Sequence, residues 1–379
     1  MARGVLPGRR LQSVRMTRKF ISVIVVALAA SCLYATYAQG SVTCSVDGER
    51  RLLEVHLNER HDFSRIETHD HQGPPEIIVW DGGSILSCAG PGPTTRSIDS
   101  IKVEDLSDGN TALAIESPDH FAPGATSAGG DEGSGSMNEI EWRIRMGGGG
   151  RDQVTFWGYA TPNVRWRFGA LGFNPRVERT GTRDTDVFLT GVEKLLAIAS
   201  SANDVLRADG GAGTGGPFRE RISLFGENGD DLLIGGSWPD QLDGGSDDDE
   251  LRGMGGGDLL IGSYEADLLT GGQGVDTASW PFEGPNSAVF ADIGAGGAND
   301  GALNDESRTG NRRDRVMSDI ENLIGGGERD VLIGDEDDNV IDARDGTVDK
   351  RIKCGAGRDK VLANLGDHAA VDCERVVER

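Results

Sequence analysis

Apolar and polar residues alternate with a period of two in short runs along the first third of the chain. Leu52-Leu53-Glu54-Val55-His56-Leu57, Glu76-Ile77-Ile78-Val79-Trp80, Ser97 to Val103 and Glu139 to Arg145 are such runs, bounded by Gly, Pro, Asp and Ser. Alternation of this kind gives a strand one buried face and one wet face. No stretch keeps a 3.6-residue period over the length of a helix, so the pattern predicts an all-β chain. Residues 122–136 (APGATSAGGDEGSGS) read as a loop.

A second period takes over downstream. From Gly226 the chain divides into six contiguous nonamers: GENGDDLLI, GGSWPDQLD, GGSDDDELR, GMGGGDLLI, GSYEADLLT and GGQGVDTAS. Position one is Gly in all six, and position six is Asp in all six: Asp231, Asp240, Asp249, Asp258, Asp267 and Asp276. Position eight is Leu233, Leu242, Leu251, Leu260 and Leu269, then Ala278. Looser copies place Asp152, Asp186, Asp204, Asp330, Asn339 and Asp359 at position six. A fixed short period points to a stacked, repetitive architecture.

Each nonamer has a Gly/Asp-rich half suited to a turn, in which glycine supplies positive φ, and a strand-like half with one apolar side chain. Two nonamers make one coil, and the position-eight leucines stack into a thin core. The same stacking aligns the position-six carboxylates about 4.8 Å apart. Like charges at that spacing repel by about 3–4 kcal/mol at an effective dielectric near 20. A divalent cation between turns reverses the sign, and hard oxygen ligands in irregular geometry suit Ca²⁺ better than Mg²⁺.

The six-fold run resembles the hemolysin-type (RTX) calcium-binding repeat, GGxGxDxUx with U a large apolar residue. The resemblance implies a right-handed parallel β-helix (β-roll) with several Ca²⁺ ions in its turns. Its side-chain ligands here would be Asp231, Asp240, Asp249, Asp258, Asp267 and Asp276, then Asp330 and Asp359. Trp238, Asp247 and Glu265 depart from the small residue preferred at position four, and only three of six repeats have Gly at position two. The expected organisation is a signal peptide (1–38), an irregular β-rich N-terminal part (39–146), a degenerate repeat region (147–225), the tandem repeats (226–279), an insertion (280–324) and C-terminal repeats with a Cys-closed end (325–379).

Charge agrees with a cation ligand. The chain of 379 residues has net charge -24 and 57 glycines. Residues 226–279 hold thirteen acidic residues against Arg252, which is half of that net charge. Nothing broadly basic is present to neutralise phosphates, so nucleic acid is not an expected partner. The apolar run Phe20 to Ala30 behind Arg15, Arg18 and Lys19 reads as an export signal. No later segment is apolar enough to span a bilayer. Beyond the signal lie Cys44, Cys88, Cys354 and Cys373. Four cysteines allow three pairings, of which the sequence-local Cys44–Cys88 and Cys354–Cys373 is favoured.

Other chemistry finds little footing. There is no HExxH and no GxSxG. Glu67, His69 and His71 alternate, with His61 nearby, and would share a strand face as metal ligands; the plainer reading is a solvated, His-rich strand. Phe156, Trp157, Tyr159, Trp166 and Phe168 read as strand packing rather than a contact surface. The expectation is a secreted, non-catalytic calcium-binding protein with a structural, adhesive or surface role, whose cell-surface or matrix partner the sequence does not name. The alternative is an extracellular enzyme with an unfamiliar N-terminal catalytic part.

Overall fold

The computed structural model describes residues 42–58, 63–69, 76–94, 98, 100–107, 109–116, 140–147, 151–158, 164–174, 187–211, 214–281, 288–293, 300–302 and 314–378. The expected signal peptide, the 122–136 loop, Asp186, Tyr159, His61 and His71 lie outside them. Every regular element among the described residues is a strand. Two long sheets, of 12 and 14 strands, and one of four account for them, and pairing is mainly parallel.

In the tandem region successive strands alternate between the two long sheets. Arg221–Asn228, Gln241–Ser246, Leu259–Ser263 and Thr277–Ser279 lie side by side in one. Leu232–Ile234, Glu250–Gly256 and Leu268–Gly274 lie side by side in the other. Each strand therefore pairs with the strand two nonamers on. Register follows the repeat: Leu224, Leu242, Leu260 and Ala278 align in one sheet, and Leu233, Leu251 and Leu269 in the other. All of these side chains are fully buried, each worth about 1.5–3 kcal/mol for the larger ones.

The two sheets do not begin at the repeats. Leu52–Leu57, Ser100–Asp105 and Glu141–Arg145 pair in parallel in the 12-stranded sheet. Phe63–His69, Ala112–Glu116, Gln153–Trp157 and Lys194–Ile198 do the same in the 14-stranded sheet and lead directly into Arg221–Asn228. The N-terminal part is thus built on the same sheets as the repeats, with longer connections. Antiparallel strands decorate it, including Val42–Asp47 and Glu76–Asp81. The aromatic residues pack inside: Phe156, Trp166, Phe168 and also Phe173 are fully buried, and the rings of Phe168 and Phe173 stack at 4.4 Å.

After the repeats the 12-stranded sheet ends at Arg315–Val316. A four-stranded sheet, ordered Gly301–Ala302, Val289–Asp292, Val331–Ile333, Arg351–Lys353, follows with the C-terminal residues. The 14-stranded sheet continues through Asn322–Ile324, Val340–Asp342, Lys360–Ala363 and Arg375–Glu378. Disulfides join Cys44 to Cys88 and Cys354 to Cys373, the sequence-local pairing. Such bonds persist in oxidising compartments, and no helix of the described residues is long and apolar enough to cross a membrane.

Candidate metal centre

The position-six aspartates sit where each turn enters a strand, and they are buried rather than splayed into water. Their backbones explain why. The N–H of Asp231 donates to Asp249 Oδ1 at 2.8 Å, and that of Asp249 to Asp267 Oδ1 at 2.8 Å. Asp267 donates in turn to Asp314 Oδ1 at 2.9 Å. On the opposite edge Asp240 donates to Asp258 Oδ1 at 2.8 Å, Asp258 to Asp276 Oδ1 at 2.7 Å, and Asp276 to Glu321 Oε2 at 2.7 Å. Each carboxylate thus caps the turn before it in its column through one oxygen, a charge-assisted bond worth about 1.5–3 kcal/mol.

The second oxygen has a different fate. Oδ2 of Asp231, Asp249, Asp258 and Asp276 is buried with no hydrogen-bond partner among the described residues. It lies over the position-one glycine of its own nonamer. A Cβ on Gly226 would stand 2.3 Å from Asp231 Oδ2 and 2.4 Å from the Gly244 carbonyl oxygen. On Gly253 it would stand 2.3 Å from Asp258 Oδ2 and 2.6 Å from the Gly271 carbonyl oxygen. Carboxylate and carbonyl oxygens therefore converge where only glycine leaves room, and hard oxygens are the donors that Ca²⁺ takes.

Positive φ, expected of the repeat glycines in general, is not what fixes position one. It falls on positions two and four, where glycine is often replaced: Glu227, Met254 and Ser263 at position two, and Asp247 and Glu265 at position four, all have φ between 71° and 83°. A non-glycine residue in this region costs about 1–2 kcal/mol, so the turn shape is imposed from outside these residues. Trp238 does not adopt positive φ, and its turn closes differently: the Gly236 N–H donates to Asp240 Oδ2 at 2.6 Å. The turns of Asp330 and Asn339 close the same way, through Gly326 at 2.8 Å and Asp335 at 2.9 Å.

The two turn edges also differ in charge. The edge formed by residues 226–231, 244–249 and 262–267 carries eight acidic residues, and that formed by 235–240, 253–258 and 271–276 carries three. Burial, then neighbouring carboxylates, push Asp231 up to about 9 and Asp249 well above the usual carboxylate range. On the other edge burial raises Asp240 and Asp258 to about 7, with Arg221 restraining Asp240. Asp276 is raised by burial as well. A carboxylate raised by burial resists ionising unless a positive partner offsets the loss of water.

Of the two weaker candidates, Asp359 repeats the ladder: it accepts from the Asn339 N–H at 2.9 Å, and its Oδ2 is buried without a partner among the described residues. Asp330 donates its N–H to Asp349 Oδ1 at 2.9 Å and is raised by burial to about 7. One carboxylate oxygen from each of Asp330, Asp345 and Asp349 lies within 4.8 Å of the others, a group able to hold a metal ion. The eight expected residues do not form one site; they are spread along three columns of turns.

Several members of these columns have no strong repeat signature. Asp204 accepts from Ser200 N and Oγ at 2.7 Å each, and its own N–H donates to Asp231 Oδ1 at 2.7 Å. Asp152 accepts from Thr111 N at 2.9 Å and donates to Glu193 Oε2 at 2.7 Å. Glu193, Glu321 and Glu374 take the place of an aspartate at column positions. Of the alternating Glu67–His69–His71 group, Glu67 is engaged by Trp80 Nε1 at 2.8 Å and Arg65 at 3.5 Å. The chain matches no protein-family model, and no curated protein matches it. Fold and site define an all-β protein of mixed, mainly parallel sheets with buried columns of acidic residues along its turns.

Proposed function

We propose that the protein is an exported, non-catalytic calcium-binding protein of the RTX type, whose nonamers form a right-handed parallel β-roll around several Ca²⁺ ions. The observation that carries this reading is the row of buried Oδ2 atoms of Asp231, Asp249, Asp258 and Asp276 above the position-one glycines, without hydrogen-bond partners among the described residues. Asp267 holds the corresponding place in its column. These residues would hold the ion through Oδ2, together with turn carbonyls. The bound ion supplies the positive charge that the buried carboxylates lack. The more acidic edge binds first, through Asp231, Asp249 and Asp267; Asp240, whose Oδ2 is taken by Gly236, contributes least.

Calcium is then a folding ligand. At low calcium the acidic turns repel, and at extracellular calcium the free energy of binding becomes free energy of folding. A fold set by extracellular calcium suits a structural, adhesive or surface role. The test is far-UV circular dichroism of the exported chain during a calcium titration, with magnesium as control. A cooperative gain of β signal with calcium alone is expected. An unchanged spectrum, with no calcium retained on equilibrium dialysis, overturns the reading.

A further inference from the structure

Asp349 stands one residue out of phase with the repeat. Leu332 follows Asp330 by two residues and aligns with Ile352, which follows Asp349 by three. The extra residue is absorbed in a small bulge, where the N–H groups of Lys350 and Arg351 both donate to the Asp330 carbonyl, at 2.9 and 3.2 Å. The loop before it brings in a third acid. Asp345 accepts from the Thr347 N–H at 2.7 Å and the Thr347 hydroxyl at 2.8 Å, which closes a tight turn. Asn364 Nδ2 pins that turn, donating to Asp345 Oδ1 at 3.1 Å and to the carbonyls of Ala343 and Thr347 at 3.0 Å each.

The result differs from the tandem ladder, in which each turn hands one position-six carboxylate to the turn before it. Here three carboxylates meet, each with an oxygen within 4.8 Å of the others. Asp330 and Asp349 are fully buried, and Asp345 is half-buried. Asp349 uses Oδ1 to accept the Asp330 N–H, and its Oδ2 is buried without a hydrogen-bond partner among the described residues. Among the described residues no lysine or arginine forms an ion pair with any of the three. Three converging acids, one with an orphaned buried oxygen, held by a pinned loop, make a preorganised oxygen cluster of the kind a small hard cation takes.

We propose that Asp330, Asp345 and Asp349 form a separate divalent-cation site of the calcium class in the C-terminal coils. It does not depend on the tandem repeats, since none of its residues belongs to them. The ion ties the turn at residues 326–330 to the loop at residues 344–349, beside the sheet that replaces the 12-stranded one.

The test is native mass spectrometry of the disulfide-bonded exported chain at fixed free calcium, comparing the wild type with Asp345→Asn. Asparagine keeps the acceptor for the Thr347 N–H and removes one charge. The variant is expected to retain one calcium ion fewer, with the far-UV spectrum of the calcium-loaded chain unchanged. Adding Asp345→Asn to Asp249→Asn should remove one further ion. If the tandem turns hold no calcium at all, Asp345→Asn still removes an ion, so the two readings fail separately. Equal counts in wild type and Asp345→Asn overturn the proposal. Should the variant lose its β signal, Fe(II)-directed oxidative cleavage of the wild type decides: cuts in 326–330 and 344–349 that calcium suppresses support the site, and their absence overturns it.

Discussion

The backbone N–H of Asp231 donates to Oδ1 of Asp249, 18 residues further along the chain, at 2.8 Å. One side chain thus does two things. Its first oxygen satisfies the backbone of the preceding turn in the column, which would otherwise leave a buried donor unpaired. Its second oxygen is buried over Gly244 with no hydrogen-bond partner among the described residues, and it is the one the calcium proposal gives to the ion. The two roles separate on substitution.

Asp249→Asn keeps an acceptor for the Asp231 N–H and removes the charge. In calcium-free buffer it is expected to unfold at higher urea than the wild type, because the cost of burying the carboxylate falls, and with it the repulsion from Asp231. In saturating calcium the order reverses, because a ligand is gone. Asp249→Ala loses the acceptor too and should be less stable in both conditions, by about 1–3 kcal/mol for the orphaned donor. Urea midpoints of the three proteins with and without calcium check this. Asparagine and alanine behaving alike would show that the ladder bond contributes nothing.

Gly253 and Gly255 lie two residues apart in one turn and have opposite tolerances. A Cβ on Gly253 would overlap Asp258 Oδ2, at 2.3 Å, and the Gly271 carbonyl oxygen, at 2.6 Å. A Cβ on Gly255 would meet nothing nearer than 3.9 Å. Gly253→Ala is expected to destabilise the calcium-loaded protein by at least about 1–3 kcal/mol, the usual cost of overpacking, and to weaken calcium binding. Gly255→Ala should be within about 0.5 kcal/mol of the wild type. Thermal melts and calcium titrations of both variants measure the contrast.

Much of this arrangement is legible in the sequence, and the remainder is hidden for definite reasons. The period of nine places Asp at one phase and Leu at another, so the alignment of Leu233, Leu251 and Leu269 follows directly. The ladder does not follow. Sequence reasoning makes the carboxylates a column held only by cations, whereas one oxygen of each is satisfied by a neighbouring N–H, a fact of register between paired strands. Asp349 escapes because one inserted residue shifts its phase. Glu321 escapes because a longer side chain reaches the same N–H from a position the repeat reserves for aspartate. Strands such as Ser100–Asp105 read correctly as strands, but their membership of the repeat's own sheets depends on connections too long for any period to show.

The buried carboxylates also set how acidity acts on the calcium-free protein. Burial raises Asp231 to about 9 and Asp240 and Asp258 to about 7 in the folded state, against about 3.9 when unfolded. Between those values the folded chain binds more protons than the unfolded one, so stability must fall as pH rises. The contribution of these groups is complete below about pH 4 and is lost as pH rises through about 7 to 9. In calcium-free buffer the urea midpoint is therefore expected to drop from pH 5 to pH 9. Calcium competes with those protons, so the gain in midpoint on adding calcium should be larger at pH 8 than at pH 5. A calcium-free midpoint that climbs over this range would mean that burial does not raise the position-six aspartates in the folded state.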